Sequence, residues 1–178
     1  MPICERSTVS LECTSSRGEH LVTDIRAMVL TAPNQIELQR FPTPDIDEDS
    51  ALLRIEACGI CGTDYESLSG EYPRANAVIL GHEPLGTIER IGDQAAQRWD
   101  IDVGDRVVVQ PNHGCGACRR CNDGKRCQLV PGGYGSTPIT VAPALWGGYA
   151  EYILLNIPRT KFLKVQSKPE IAVLLEPF

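Results

Sequence analysis

The apolar positions of this chain come mostly in short runs, and turn-forming residues separate them. Residues 27–30 and 36–39 each predict a β-strand, with Ala32-Pro33-Asn34 as the turn between them. Residues 51–59 alternate between an apolar face and a polar face, as a half-buried strand does. The pattern therefore predicts short strands joined by turns.

Further strands and two short helices are predicted downstream. A helix is expected after residue 62, with Thr63 as its N-cap and Asp64 and Glu66 in its first turn. Ser167 and Glu170 form a capping-box pattern before a helix that runs to the end of the chain. About seven strands with little helix predict a mainly β fold, a small barrel. The later strands are predicted within residues 77–92, 104–111, 146–155 and 161–165. In the first of these segments, His82 and Glu83 follow a glycine turn between two strands.

Composition narrows the class of protein. The chain has 178 residues, enough for one sizeable domain, with 16 glycines and 13 prolines that suit a turn-rich β fold. Its net charge of −6 argues against a broad nucleic-acid-binding surface. Its apolar runs are shorter than the roughly 18 residues of a membrane span, so no membrane association is predicted.

Eight cysteines are the most informative feature of the composition. Cys4 and Cys13 lie in a polar arm, residues 1–25, which lacks the apolar core of a secretory signal. We therefore expect a cytoplasmic protein, in which a disulfide framework is disfavoured. The other cysteines are then candidates for metal binding, catalysis or the core.

Four cysteines form C-x2-C-x2-C-x5-C between residues 115 and 127. Short glycine-containing spacers let four thiolates converge on one point, and a tetrahedron of thiolates suits a structural zinc with no position left for substrate. An iron–sulfur cluster is the main alternative, although its bacterial run continues with x3 and Cys-Pro. His113, just before the lobe, is either a polar loop residue or a substitute ligand. The predicted zinc ligands are Cys115, Cys118, Cys121 and Cys127.

Cys58 and Cys61 form a second C-x2-C pair. By itself the pair allows a redox dithiol, half of a zinc site, or one metal ligand and one core residue.

Several motifs occur in one order: CGICGTD, GHEPLGTIERIG, GDRVVV, the four-cysteine lobe, GGYAEY and LLEPF. Together they resemble the N-terminal domain of the zinc-dependent medium-chain alcohol and polyol dehydrogenases. The resemblance implies a partly open, GroES-like β-barrel over residues 26–178, with the zinc lobe at 112–128. In that family a Rossmann domain that carries NAD or NADP follows, and this chain stops roughly where that domain would begin. The resemblance also implies an alcohol substrate, a homo-oligomer for the full-length enzyme, and no turnover by this part alone.

The resemblance assigns a catalytic zinc to Cys61 and His82. It makes Glu176, in Glu-Pro, the last ligand in the manner of the polyol branch, and places Glu83 beside the metal. In the family the zinc acidifies the bound alcohol, whose hydride passes to the nicotinamide. The resemblance also implies that the Thr63 hydroxyl receives the alcohol proton and that the Asp64 carboxylate orients the histidine ligand. It implies that Glu66 is the outer residue of the proton relay.

Other interpretations remain open at this stage. The runner-up is a stand-alone GroES-like or zinc-ribbon module for protein contacts, which would have no use for Thr63 or Asp64. A zinc-free quinone reductase is disfavoured by the ligand cysteines. Cys58 is expected in the core, and Trp146 and Tyr149 are expected to pack in the barrel rather than to contact substrate.

Overall fold

A computed structural model describes residues 24–110, 114–115, 118–123, 125, 127 and 133–175. Residues 1–23, with Cys4 and Cys13, lie outside the described residues, and so do His113 and Glu176.

The first sheet is built on the predicted hairpin. Strand β1 (Ile25–Ala32) pairs antiparallel with β2 (Gln35–Phe41) and, on its other side, with β4 (Val78–Ile79). The β1–β2 turn places Asn34 at φ 58°, a left-handed conformation that asparagine tolerates better than most residues. The turn signal in the sequence therefore marks a true reversal of the chain.

The second sheet has five antiparallel strands and carries most of the core. Its spatial order is β7-β3-β5-β6-β8, so the long strands β3 and β5 lie near its centre. The strands are β3 (Ala51–Gly59), β5 (Glu83–Ile91), β6 (Arg106–Val109), β7 (Tyr152–Leu155) and β8 (Phe162–Lys164).

The alternation in β3 becomes the buried face of this sheet. Leu53 pairs with Ile88 on one side and with Ile153 on the other, and all three side chains are buried. Each contributes roughly 1.5–3 kcal/mol by leaving water. Tyr134 and Trp146 stack beside them with ring centroids 6.5 Å apart. The expectation that Trp146 packs in the barrel is confirmed.

Residues 148–151 connect the two sheets. Met28 N donates to the Tyr149 carbonyl at 2.8 Å, and Ile55 N donates to the Glu151 carbonyl at 2.9 Å, so this segment lies between β1 and β3. It was predicted as part of a strand over 146–155, but only Tyr152–Leu155 forms regular strand. The segment instead forms hydrogen bonds with one strand of each sheet, β1 and β3.

The helices are short, and two predictions about them were wrong. Helix α1 (Gly62–Ser69) has Cys61 rather than Thr63 as its N-cap, and only Asp64 lies in its first turn as an acidic residue. Helix α4 (Pro169–Ala172) is capped by Lys168, not by Ser167, and continues only as a single 3-10 turn over Val173–Leu175. Proline at the first helical position fixes this start, because its missing N–H is not needed there.

Helix α2 (Asp93–Trp99) was not predicted, and α3 (Arg119–Asn122) lies in the cysteine lobe. Helix α2 buries only Ala95, so its sequence has little apolar periodicity, and its end is fixed by Asp100 at φ 53°. The prediction of a mainly β fold with short helices is confirmed. Within the described ranges, no helix is both long and apolar enough to cross a membrane.

Candidate metal centres

The four-cysteine lobe brings its sulfur atoms to one point. The Sγ atoms of Cys115, Cys118, Cys121 and Cys127 all lie within 4.8 Å of one another. The Sγ–Sγ distance is 4.0 Å for Cys115–Cys121, 3.4 Å for Cys118–Cys121 and 3.9 Å for Cys118–Cys127. A tetrahedral zinc with Zn–S bonds of about 2.3 Å requires sulfurs about 3.8 Å apart. The lobe therefore fits a single tetrahedral ion.

Backbone groups support these sulfurs. Cys118 N points at Cys115 Sγ at 3.3 Å, and Cys121 N points at Cys118 Sγ at 3.4 Å, an arrangement that stabilises thiolates. Gly114 lacks a side chain where a Cβ atom would overlap Cys121 Sγ. An iron–sulfur cluster holds its cysteines on the outside of several iron atoms and so keeps the sulfurs farther apart. The close packing here favours one zinc ion.

A second group of donors forms where three segments meet. Cys61 caps α1 directly after β3, His82 lies in the turn between β4 and β5, and Glu83 begins β5. The β3–β5 register places Glu83 opposite Gly59, two residues before Cys61. One ligand atom from each of Cys61, His82 and Glu83 lies within 4.8 Å of the others. Pairing of the two strands thus brings together residues that are 22 positions apart.

The chemistry of this second group fits a catalytic zinc. A thiolate, an imidazole and a carboxylate are common zinc ligands, and three protein ligands leave a fourth position for water or substrate. Glu83 is buried, with 7% of its surface exposed, which is a costly place for a charge. His82 Nε2 lies 3.9 Å from its Oε1. Gly59 has no Cβ, which would otherwise overlap the Glu83 carboxylate. A divalent cation would offset the cost of burying Glu83.

Asp64 contacts both Cys61 and His82, and it meets the histidine ring on the side away from Glu83. Its side chain is 4% exposed, and it accepts hydrogen bonds from Cys61 N at 3.0 Å and Gly81 N at 3.3 Å. His82 Nδ1 lies 3.5 Å from Asp64 Oδ1, while His82 Nε2 faces Glu83. A carboxylate at Nδ1 keeps the proton on that nitrogen and leaves Nε2 as the ligand atom. The predicted orienting role of Asp64 is consistent with this geometry.

The same contacts shift the ionisation of the ligands. Hydrogen bonds from Thr63, with a smaller contribution from His82, lower the pKa of the Cys61 thiol against the opposing effect of burial. The hydrogen bond with Asp64 raises the pKa of His82 to about 9, and burial opposes it. Burial would raise the pKa of Asp64, but the His82 ring and the two backbone amides outweigh it and lower the pKa. In the metal-free protein these contacts therefore favour the deprotonated form of Cys61 and the protonated form of His82.

The remaining predicted residues lie around this centre. Thr63 is exposed and forms hydrogen bonds to Cys61, and Glu66 is exposed one turn farther along α1. Cys58 is partly exposed and lines an open cleft of about 490 Å³ together with Ile60 and Tyr149, outside the buried clusters of the described chain. Its predicted core position is therefore only partly met.

Tyr149 makes a contact with Asp64 that the sequence did not reveal. Its hydroxyl donates to Asp64 Oδ2 at 3.1 Å and lies 3.4 Å from the Gly59 carbonyl. Burial and the negative charge of Asp64 raise the pKa of Tyr149, so its hydroxyl remains a donor. The GGYAEY motif identified the position but not this contact, because Asp64 lies 85 residues away in sequence.

Comparisons with known proteins show the family of this chain. The family described as the alcohol dehydrogenase GroES-like domain matches residues 47–167. A probable alcohol dehydrogenase of Mycobacterium tuberculosis is 43% identical over 159 residues, covering 86% of this chain and 43% of that protein. A sorbitol dehydrogenase of Bacillus subtilis is 32% identical over 159 residues, covering 87% of this chain and 43% of that protein.

Solved structures give the same result. An alcohol dehydrogenase of Thermotoga maritima superposes with a TM-score of 0.70 at 29% identity, over 86% of this chain and 44% of that one. A putative zinc-binding dehydrogenase of Sinorhizobium meliloti bound to NADP superposes with a TM-score of 0.69 at 31% identity, over 86% of this chain and 42% of that one. The chain thus spans less than half the length of these relatives. Since the family match covers more than half of its residues, the chain belongs to the family of the alcohol dehydrogenase GroES-like domain, the domain found in zinc-dependent medium-chain alcohol and polyol dehydrogenases.

Proposed function

We propose that this chain supplies the zinc-binding catalytic domain of a dehydrogenase that oxidises a primary or secondary alcohol and passes hydride to NAD or NADP. The observation that carries the proposal is the convergence of Cys61, His82 and Glu83, with Asp64 behind the histidine. An interaction module would gain nothing from that arrangement. The family membership and the relatives named as alcohol and sorbitol dehydrogenases support the same activity.

The chain's own side chains would hold the metal and manage the proton. Cys61 and His82 are the proposed constant ligands, with Glu83 or Glu176 as the carboxylate. Zinc bound there would supply Lewis-acid chemistry that makes the alcohol easier to deprotonate. Cys115, Cys118, Cys121 and Cys127 would hold a separate structural zinc.

The proton would leave along one face of α1. Thr63 and Glu66 are three residues apart on this helix, so their side chains project from the same side. Both residues are exposed, and Thr63 contacts Cys61 through hydrogen bonds. We propose that the Thr63 hydroxyl takes up the alcohol proton as it gives its own proton to Glu66, which passes that proton to solvent.

The substrate and cofactor follow from the class of site. We favour polyols and other secondary alcohols, on the Glu176-Pro177 pair and on the sorbitol dehydrogenase relative. The relative that was crystallised with NADP extends well beyond the part that this chain matches. We therefore propose that the nicotinamide cofactor is bound mainly by residues outside that part, and that this chain by itself shows no turnover. Homo-oligomerisation and a cytoplasmic location remain predictions.

Zinc analysis tests the proposal. We expect two zinc ions per chain in the wild type, one in Cys61→Ser, and two in the control Cys58→Ser, which changes the other cysteine of the same motif. In the complete gene product, Cys61→Ser should abolish NAD- or NADP-dependent oxidation of a panel that runs from ethanol to sorbitol. A wild-type protein with a single zinc, which Cys61→Ser retains, would contradict the proposal and favour an interaction module.

A further inference from the structure

We propose that Tyr149 is a positioning residue for the Cys61–His82–Glu83 site and acts through Asp64. This inference rests on the proposed function, because it concerns how that site holds its metal. Tyr149 touches neither substrate nor metal in this scheme. It fixes the carboxylate that in turn fixes the histidine.

The backbone of Tyr149 is held firmly beside the site. Tyr149 N donates to the Leu80 carbonyl at 3.1 Å, and Gly148 N donates to the Gly81 carbonyl at 2.7 Å. Residues 148–149 thus pair with the turn that presents His82. Gly81, at φ 86°, leaves space for the aromatic ring, since a Cβ there would lie 2.6 Å from Tyr149 Cδ1. The ring is therefore placed by the same turn that carries the ligand.

The hydroxyl of Tyr149 then reaches the other two segments of the site. It contacts the Gly59 carbonyl at the end of β3 and Asp64 Oδ2 on α1. One side chain thus touches the turn before His82, the strand that precedes Cys61 and the helix that carries Asp64. Its donor proton is the one feature of the tyrosine that phenylalanine cannot supply.

The two oxygens of Asp64 have separate partners, which explains why the Tyr149 bond matters. Oδ1 faces His82 Nδ1 and Gly81 N, whereas Oδ2 accepts from Cys61 N and the Tyr149 hydroxyl. Carboxylate rotation about χ2 is broad unless hydrogen bonds restrict it. Among the described residues, loss of the Tyr149 donor would leave Oδ2 with the Cys61 amide alone, so the carboxylate can rotate away from His82. The histidine would then spend less time with Nε2 directed at the metal.

Packing alone is the competing explanation, because the Tyr149 ring also lies against two buried clusters. Tyr149→Phe separates the two roles, since it keeps the ring and removes only the hydroxyl. Tyr134→Phe is the matched control: Tyr134 is buried, and its hydroxyl bonds Thr160 instead of Asp64. If the effect came only from removing a buried tyrosine hydroxyl, Tyr149→Phe and Tyr134→Phe should change zinc release equally.

Zinc transfer to a coloured chelator tests the inference. We call the Cys61–His82–Glu83 group the open site. The kinetic phase of zinc release that is missing in Cys61→Ser belongs to the open site, and the remaining phase of zinc release belongs to the four-cysteine lobe. We expect Tyr149→Phe to accelerate the open-site phase about 3- to 10-fold, less than the 10- to 100-fold typical of a direct partner of a ligand. The lobe phase and the thermal midpoint should change no more than in Tyr134→Phe.

A double-mutant cycle identifies the route. In an Asp64→Asn background, Tyr149→Phe should add little, because its partner has already been altered. An unchanged open-site phase in Tyr149→Phe, or an equal acceleration in Tyr134→Phe, would overturn the inference while leaving the proposed function intact. If the wild type shows no phase that depends on Cys61, the proposed function itself fails and this inference fails with it.

Discussion

The two candidate metal centres of this domain are assembled in opposite ways. The four lobe cysteines lie within thirteen residues, and short spacers and backbone N–H groups bring their sulfurs together. The Cys61–His82–Glu83 group draws its donors from three segments, the N-cap of α1, the β4–β5 turn and the start of β5. Asp64 accepts hydrogen bonds beside them from Cys61 N and from the Tyr149 hydroxyl. The first centre is closed by four thiolates, whereas the second leaves a coordination position open.

This difference separates two uses of the same metal. A closed, local site returns its binding energy to the folding of a loop that has almost no core of its own. An open site has fewer ligands, so its affinity depends on how well side chains of the outer layer hold those ligands in place. We therefore expect mutations at the lobe to act on stability, and mutations at the open site to act on metal retention.

The largest effect should follow from Cys121→Ser. Cys121 is buried at the centre of the lobe, 3.4 Å from Cys118 Sγ. Its loss should remove a substantial part of the roughly 10 kcal/mol that a structural zinc supplies to folding. Denaturant unfolding and zinc content measure this, with Cys61→Ser as the comparison. If both variants lose the same single zinc, the distinction between two sites is wrong.

Gly59→Ala should be the next largest effect. A Cβ at this position would overlap the Glu83 carboxylate, whereas a Cβ at Gly62 meets nothing within 4 Å. We expect Gly59→Ala to cost about 1–3 kcal/mol of stability and to weaken zinc retention at the open site. Unfolding and chelator transfer measure the two effects. Gly62→Ala, three residues away, is the control and should be neutral or slightly stabilising in the helix. If the two variants change stability and zinc retention equally, the site tolerates a displaced Glu83 and the prediction is wrong.

Asp64→Asn tests the open site without changing its size. The substitution keeps the shape but removes the charge that holds the Nδ1 proton of His82. We expect a 10- to 100-fold loss of zinc affinity at the open site and no change at the lobe. Competition with a chelator measures both affinities. Glu56→Gln, which alters a carboxylate bound by Thr87 and Arg106, is the control and should leave both affinities unchanged.

The smallest effect should be a pH dependence of the free energy of unfolding. It is expected in protein whose open site has been emptied of zinc while the four-cysteine lobe still holds its ion. The pKa of His82 is raised to about 9 by Asp64, whereas an unfolded histidine titrates near about 6.5. The folded state then binds the proton more tightly, so this contribution to stability is complete below about pH 6.5 and is lost as pH rises through about 9. Urea unfolding should detect a fall in the free energy of unfolding between these two pH values, and His82→Gln should show a flatter profile over the same range.

Local sequence patterns were sufficient for several features. Alternation predicted the strand β3, the turn at Asn34 predicted the hairpin of β1 and β2, and the spacing of the four cysteines predicted their convergence. These features depend on contacts between residues close in sequence, or on a periodicity that a single strand displays. The helix cap at Thr63 was wrong by two residues, because Cys61 supplies the extended residue at that turn.

Other features could not be predicted from local patterns. Helix α2 buries only Ala95, so its periodicity is too weak to detect. The segment 148–151 has strand-like composition, but hydrogen bonds to two different sheets define it. Tyr149 was expected to pack in the barrel, and nothing near it in sequence indicates that its hydroxyl reaches Asp64.

The sequence by itself determined the mainly β fold class and the types of residue that can bind metal. The order of its motifs indicated the family, which the match over residues 47–167 then established. Only the tertiary structure decided which oxygen of Asp64 faces His82, why Gly59 and Gly81 need to lack a side chain, and where the Tyr149 hydroxyl points. The physical reason is range: a hydrogen bond requires its atoms within about 3.5 Å, and pairing of strands far apart in sequence sets those distances.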